Sequence, residues 1–457
     1  MLKKKSEHIR PDFKIKEEAL SSNMYIYVRP LKKKPIASEV FHRDRIDRDI
    51  LQQAVDLSLK RMPYMADTLV KKGIRFYYAE DPLPFEVAET DKIRHIGGPE
   101  TNYHMIDVTC HDNVTIFAAA HEFCDGQGLQ FFLESVLYNY YCIRDGVDYD
   151  PGHIRTGRTA MTEEEYRDPY RMLPRNKRGY KPQFDPFSEL SENEPGFISQ
   201  EEGKTGLYHL PEFGTEDYDT IHFTSLSFPS EEFMDFVKEC KSSPAVVLSL
   251  MMGEAVLRIH PDADRMIRAV VPLSSRKAIG CMDTFKNCSN RAELPAGGTA
   301  LDDMPFAYRA EKLRTVLLSQ IDHEVVRPYE RYVCDSLEKL VKSRLGYRRI
   351  VKILERITTE SFDSFFLDYT GVVHAPGYGD KIEYFNTLCR PIGNCPVHIN
   401  VHEFNGRFRI SYLARDHVPC YIDALKDVMN DHGLTVQAEE PRQIVLPDTE
   451  WDYGMKL

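Results

Sequence analysis

Apolar positions along the chain switch between a period of two and a period near 3.6, the spacings that separate strands from helices. Residues 24–28 (MYIYV) read as a first strand. Over residues 47–61, Ile50, Ala54, Val55, Leu57 and Leu59 keep a helical period, and Pro63 closes the segment. A strand is expected near residues 74–78. Residues 103–109 and 113–120 are two alternating runs joined by a short turn, which predicts a hairpin. Leu129, Phe132, Leu133, Val136, Leu137 and Tyr140 then form one helical stripe.

Periodicity fades over residues 146–215, which are rich in Pro, Gly, Glu, Arg and Tyr. This stretch reads as a long crossover or lid between two halves. The second half opens with a strand at 220–228 and a helix from Ser230, followed by a helix over about 245–259. Strands are expected at 268–273 and 290–294, and long helices at 305–357. "VHINVHEFNGRFRISYLA" is two alternating runs around Asn405-Gly406, a strong hairpin signal, with a helix over 421–430 after it. Each half thus contains strand, tight turn, strand, short loop and helix, the pattern of a distant duplication. The expected division is an N-terminal lobe over 1–150, a crossover over 151–215 and a C-terminal lobe over 216–457.

Length and charge narrow the classes. At 457 residues the chain exceeds one ordinary core. A net charge of -12 disfavours broad nucleic-acid binding. The basic clusters Lys32-Lys33-Lys34 and Lys177-Arg178 read as solvated surface. The basic start runs into no apolar region, so no signal peptide is expected. The most apolar stretch, 244–257, is short and holds Glu254, so no membrane span is expected. Ten cysteines without a C-x-x-C pair read as free thiols in a cytoplasmic protein.

The candidate chemistry sits in "AAAHEFCDGQGL", between the first hairpin and its helix. Asp125 fits a helix N-cap, and Gly126 and Gly128 fit a tight turn. Three small residues before His121 leave room for a molecule to approach, and glycines either side of Gln127 let backbone come close to it. An imidazole at a strand end is a natural general base for a hydroxyl or amine.

The motif His121-Glu-Phe-Cys-Asp125-Gly126 resembles that of the CoA-dependent acyltransferase superfamily, which includes chloramphenicol acetyltransferases, plant HxxxD acyltransferases, alcohol acetyltransferases and peptide-synthetase condensation domains. "VVPLSSRKAIGCMDTFKNCSNRAEL" (270–294) and "SFFLDYTGVVHAP" (364–376) are similar to strands of that family's C-terminal lobe. The resemblance implies an α/β fold of two similar lobes, each a mixed sheet with flanking helices, and an active-site tunnel between them. It implies His121 as general base, Asp125 in a structural role bonded to Arg276, and Gly126 in the motif turn. A second-lobe group would stabilise the oxyanion, Thr370 first and Tyr369 second. Acyl-CoA would be the co-substrate and a small alcohol or amine the acceptor, with no permanently bound cofactor and no metal.

Some positions depart from the family's branches. Ala120 stands where condensation domains usually carry a second histidine. The plant-type D-F-G-W-G stretch is absent, and the single tryptophan is Trp451. The chain thus looks more like stand-alone bacterial alcohol-acetyltransferase-like members. Two other readings stay open: a condensation-type enzyme using a carrier protein as acyl donor, and a non-catalytic binding protein on the same fold. His398 and His402 look like a metal pair only on a helix; on the strand expected here they lie about 13 Å apart. Asp335-Ser336-Leu337 matches a phosphopantetheine attachment tripeptide but falls inside a helical stretch. Cys124 reads as packing, and Asp264 and Asp283 have no paired-carboxylate context.

Overall fold

The structure, a computed structural model, describes residues 13–22, 34–72, 75–182, 207–211, 220–263, 265–343, 345, 349–350, 364–391, 395–415 and 420–449. The strand expected at 24–28, the first basic cluster up to Lys33, Asp264 and parts of the crossover lie outside these residues. So do Trp451 and most of 344–357.

The N-terminal half contributes β1 (Lys14–Glu18), β2 (Pro35–His42), α1 (Arg48–Arg61), β3 (Thr68–Lys72), β4 (Arg75–Glu80), β5 (Ala88–Glu89), β6 (Ile106–His111), β7 (Val114–Ala120) and α2 (Gly126–Asp145). A short α3 (Glu163–Tyr166) lies in the crossover. The C-terminal half follows with β8 (Thr220–Pro229), α4 (Ser230–Glu239), α5 (Pro244–Ile259), β9 (Ile267–Ser274), α6 (Arg276–Ile279), β10 (Ser289–Gly297), α7 (Phe306–Ile321) and α8 (His323–Lys342). It closes with β11 (Phe365–Val372), β12 (Ile382–Cys389), β13 (Val397–Phe404), β14 (Arg407–Ala414), α9 (Cys420–Asp431), β15 (Gln437–Ala438) and β16 (Arg442–Val445).

The expected hairpins form where the alternation places them. β6 pairs antiparallel with β7, and β13 with β14 around Asn405 and Gly406, both at positive φ, as a two-residue turn requires. The long helical stretch after residue 305 divides at Asp322, whose side chain accepts the Glu324 N–H and starts α8. Asp335 lies within α8.

Three sheets result. A five-stranded sheet runs β12-β2-β7-β6-β5, and a three-stranded one runs β1-β4-β3. The largest runs β10-β9-β11-β13-β14-β8, with β15 and β16 both against β8. Helices α1 and α2 pack on the first sheet through Leu51, Val55, Phe132 and Val136, and α5 and α9 cover the large sheet through Val247, Met251, Leu425 and Val428. Two apolar cores follow from this layering. No helix among the described residues is long and apolar enough to cross a membrane.

Two features join the halves. β12 leaves the C-terminal half and pairs along β2 from Ile382↔His42 to Cys389↔Ile36. The segment around α3 acts as a strap. Its buried Glu165 accepts from Arg61 of α1 at 2.8 and 2.9 Å and from the Tyr64 hydroxyl at 2.7 Å. On the other side, the Glu165 carbonyl accepts the Phe285 N–H at 2.9 Å, and the Arg167 carbonyl accepts the Thr284 hydroxyl at 2.9 Å. The loop after α6 is thereby tied to the first half.

Candidate active site

β7 ends in Ala118, Ala119 and Ala120, all buried, and the chain then turns sharply. The Phe123 and Cys124 N–H groups bond back to the Ala120 carbonyl at 2.9 and 3.4 Å. The turn ends at Asp125, whose side chain accepts the Gly128 N–H at 2.9 Å and caps α2.

Asp125 does more than cap. Arg276 donates to it from both terminal nitrogens, each at 2.7 Å, and the Cys288 N–H adds a bond at 2.9 Å. Each carboxylate oxygen therefore accepts two hydrogen bonds. Arg276 is also held by the Thr284 and Lys286 carbonyls, each at 3.0 Å, and by the Ser274 hydroxyl at 3.1 Å. Burial alone raises the Asp125 carboxyl, but the Arg276 charge and the bonds from Arg276, Cys288 and Gly128 outweigh it. It sits below the usual carboxylate range. Burial pulls the Arg276 guanidinium down and Asp125 lifts it higher still. The shifts of both partners favour their charged forms.

Gly128 is required by that contact. A Cβ there would lie 2.0 Å from the Phe285 carbonyl oxygen, so α2 and the loop touch backbone to backbone. Around Gly126 nothing lies within 4 Å of such a Cβ. Of the two motif glycines, only Gly128 makes a close approach, and it approaches protein.

His121 is half-buried at the head of the turn. Its Nδ1 lies 3.2 Å from the Cys124 carbonyl. A proton on Nδ1 satisfies that carbonyl and, in the neutral ring, puts the lone pair on Nε2. Asn287, in the loop beyond Arg276, donates Nδ2–H to the His121 carbonyl at 2.7 Å and places the same nitrogen 3.2 Å from the ring Nδ1. The Ser289 N–H, bonded to Asn287 Oδ1 at 2.9 Å, fixes which way that amide faces. The sequence analysis did not single out Asn287. Its position eleven residues after Arg276, on the loop that meets the motif, was the available signal.

Thr370 is exposed near the end of β11, at a bulge where the β11–β13 register shifts between Tyr369 and Gly371. Bulges beside functional sites re-aim side chains. The Thr370 hydroxyl donates to the Val401 carbonyl at 3.1 Å. Tyr369 turns to the other face and packs beside Phe408, with ring centroids 6.2 Å apart. Cys124 is fully buried, and burial and Asp125 push its thiol well up, so it is no thiolate nucleophile. His398 and His402 lie on β13, not on a helix, and burial drives the His402 imidazole down to about 3. Among the described residues no cluster of metal-ligating side chains forms.

A cavity of about 290 Å³ opens elsewhere, between α8, β4 and the segment around Tyr170. Its cations are paired: Arg75 with Glu338 at 3.2 Å, Arg331 with Asp335 at 2.7 Å and Lys342 with Glu338 at 2.6 Å. None of its lining residues belongs to the motif.

No family model matches the chain, and no curated protein matches its sequence. Solved structures do match over nearly its whole length. Polyketide synthase associated protein 5 from Mycobacterium tuberculosis is 13% identical with a TM-score of 0.57, over 91% of this chain and 98% of that one. F. graminearum TRI101, solved with coenzyme A and T-2 mycotoxin, is 11% identical with a TM-score of 0.56, over 93% and 99%. The first condensation domain of the CDA synthetase is 11% identical with a TM-score of 0.53, over 92% and 95%. The chain therefore has the two-lobed α/β fold of these proteins.

Proposed function

We propose that the protein transfers an acyl group from acyl-CoA to the hydroxyl or amine of a small acceptor, with His121 as general base. The observation that carries this reading is the His121 turn. An imidazole stands at a strand end with Nδ1 on the Cys124 carbonyl, on a backbone anchored by the Asp125–Arg276 clamp. TRI101, of the same fold, was solved with coenzyme A and a small molecule, which agrees with this donor and acceptor class.

In the proposed step, His121 Nε2 takes the acceptor's proton as its oxygen or nitrogen attacks the thioester carbonyl. The carbonyl oxygen carries the charge of the tetrahedral intermediate, and Thr370 is the proposed donor to it once its hydroxyl turns from Val401. The C–S bond then breaks, and the CoA thiolate takes the proton from His121. Asp125 and Arg276 hold the turn and touch no reacting atom. The residues proposed for these roles span the division into lobes at 1–150 and 216–457 with the crossover at 151–215. Lys286 and Asn287, from the second lobe, border the motif of the first.

The test is thiol release from a panel of acyl-CoAs with pooled alcohols and amines. His121→Ala should fold as wild type and lose about 10²- to 10⁴-fold in turnover. Equal release by the two proteins would refute the assignment of the base. Release only from a carrier-bound acyl group would move the reading to a condensation-type donor.

A further inference from the structure

One face of the large sheet is apolar, and the other mixes apolar residues with a run of polar ones. Strand pairing sets Asp368 of β11 beside Asn400 of β13, Asn400 beside Ser411 of β14, and Ser411 beside Ser225 of β8. Their neighbours Leu367, Val401, Ile410 and Leu226 face the other way, into the core under α5 and α9. The mixed face is turned toward the first half. β12 lies over part of it, with Thr387 N–H on the Ser411 hydroxyl at 3.0 Å and Asn386 accepting from Arg409 at 2.7 Å.

Asn400 and Asp368 both lie on this face. Both amide atoms of Asn400 are buried and make no hydrogen bond, although the residue is 0% exposed. The Asp368 carboxyl takes part in no hydrogen bond or ion pair among the described residues. Asp368 itself is half-buried. A buried polar group without a partner costs free energy, and an unpaired carboxylate costs more.

The charges around Asp368 are specific. β9 and β11 run parallel, with Val270 beside Phe366, so Asp368 lies toward the end of β9 that leads to Arg276. The charge felt at Asp368 is the anion Asp125. On the same face, Arg268 and Arg291 are both taken by Glu293, at 2.9 and 3.1 Å. His398 and His402 on β13 and Arg407 and Arg409 on β14 also lie on this face, with Arg409 bound to Asn386 and Glu439. Among the described residues no cation is paired with Asp368. Burial, and secondarily Asp125, lifts its carboxyl to about 7.

We propose that Asp368, with Asn400 beside it, is part of the acceptor-binding site and takes an organic ammonium group, so that the acceptor carries an ammonium apart from the hydroxyl or amine that attacks. This rests on the acyl-transfer reading for its catalytic consequence but not for the binding itself. A cation brought by the ligand supplies what the site lacks: a charge partner for Asp368, and N–H donors for the Asn400 carbonyl oxygen. Binding favours the charged carboxylate, so at neutral pH the ammonium displaces a proton from Asp368 into the buffer.

Two measurements test this on the full chain. The first is thiol release with straight-chain amino alcohols and the matching alcohols that lack the amine, for wild type and Asp368→Asn. The proposal expects wild type to prefer the amino alcohols, and Asp368→Asn to raise their KM more than about tenfold relative to that of the plain alcohols. Equal losses for both series, or no loss for either, would overturn it. The second is calorimetric titration with the same amino alcohols as hydrochlorides, in buffers of different ionisation enthalpy. Wild type should bind with proton release, and Asp368→Asn should show neither. Wild-type binding without proton release, or no binding by wild type, would overturn the proposal. Proton-linked binding with no thiol release from any donor would instead leave the ammonium site standing and reject acyl transfer.

Discussion

Asp125 and Asp368 are two aspartates close enough to feel each other's charge, and their surroundings make them opposites. Asp125 accepts four hydrogen bonds from Arg276, Cys288 and Gly128 and is held below its ordinary range. Asp368 accepts none among the described residues and is held near 7. A carboxylate saturated by its own protein has no valence left for a ligand, whereas one left empty in an enclosed place is poised to meet one. Chemical availability, not closeness to the motif, separates a structural acid from a binding one.

The strongest way to break this comparison is to remove the saturated member. Asp125→Ala leaves the buried Arg276 guanidinium with carbonyls and one hydroxyl but no counter-charge. Losing one partner of a buried pair costs about 3–5 kcal/mol. Denaturant unfolding should show a fall of that size, and transfer should fall with it, because the turn that carries His121 is no longer tied to Cys288. A stable Asp125→Ala protein with full activity would show that the clamp neither supports the fold nor orients the base.

The second effect is smaller and has the opposite sign. Asp368 titrates higher in the fold than in the open chain, so its contribution to stability is complete below about pH 4 and is lost as pH rises through about 7. Asp368→Asn, which cannot ionise, should match wild type near pH 4 and exceed it by about 1–3 kcal/mol near pH 8, the lower part of the shift allowing for the solvent that reaches the group. Asp125 behaves in reverse. Its stabilisation is present above its unfolded value and is lost only as pH falls through its depressed folded value. Asp125→Asn should therefore be weaker than wild type near pH 8, with the gap closing in acid. Parallel pH profiles for the two variants would erase the distinction.

The sequence made one of these acids legible and hid the other, for a physical reason. His121, Asp125 and Gly126 stand close together at a strand-to-helix junction, and local chemistry suffices to mark them. Arg276 lies 151 residues from Asp125 and was reachable only through resemblance. Asp368 and Asn400 sit at alternate places among Phe366, Leu367, Tyr369, Ile399 and Val401. That alternation is the ordinary signature of a strand with one wet face. Only the packing of β12 and the first half over the face turns it into an enclosed polar surface. The pairing of β12 with β2 was equally hidden, since partners about 345 residues apart leave no local trace. The hairpins and the helix after each were visible because their periods are local.

The finest distinction concerns what holds His121 in place. The clamp fixes the backbone of the turn, whereas Asn287 reaches the His121 carbonyl at 2.7 Å and the ring nitrogen at 3.2 Å. Asn287→Ala removes those contacts without touching Asp125 or Arg276. The loss of one hydrogen bond to a carbonyl is worth about 1 kcal/mol, or roughly a fivefold fall in turnover. Thermal unfolding should move little, since the loop keeps its bonds to Glu165 and Arg167. If the clamp alone orients the base, turnover by Asn287→Ala will equal wild type; a fall in kcat with unchanged KM and unchanged stability would assign the orientation of the imidazole to Asn287.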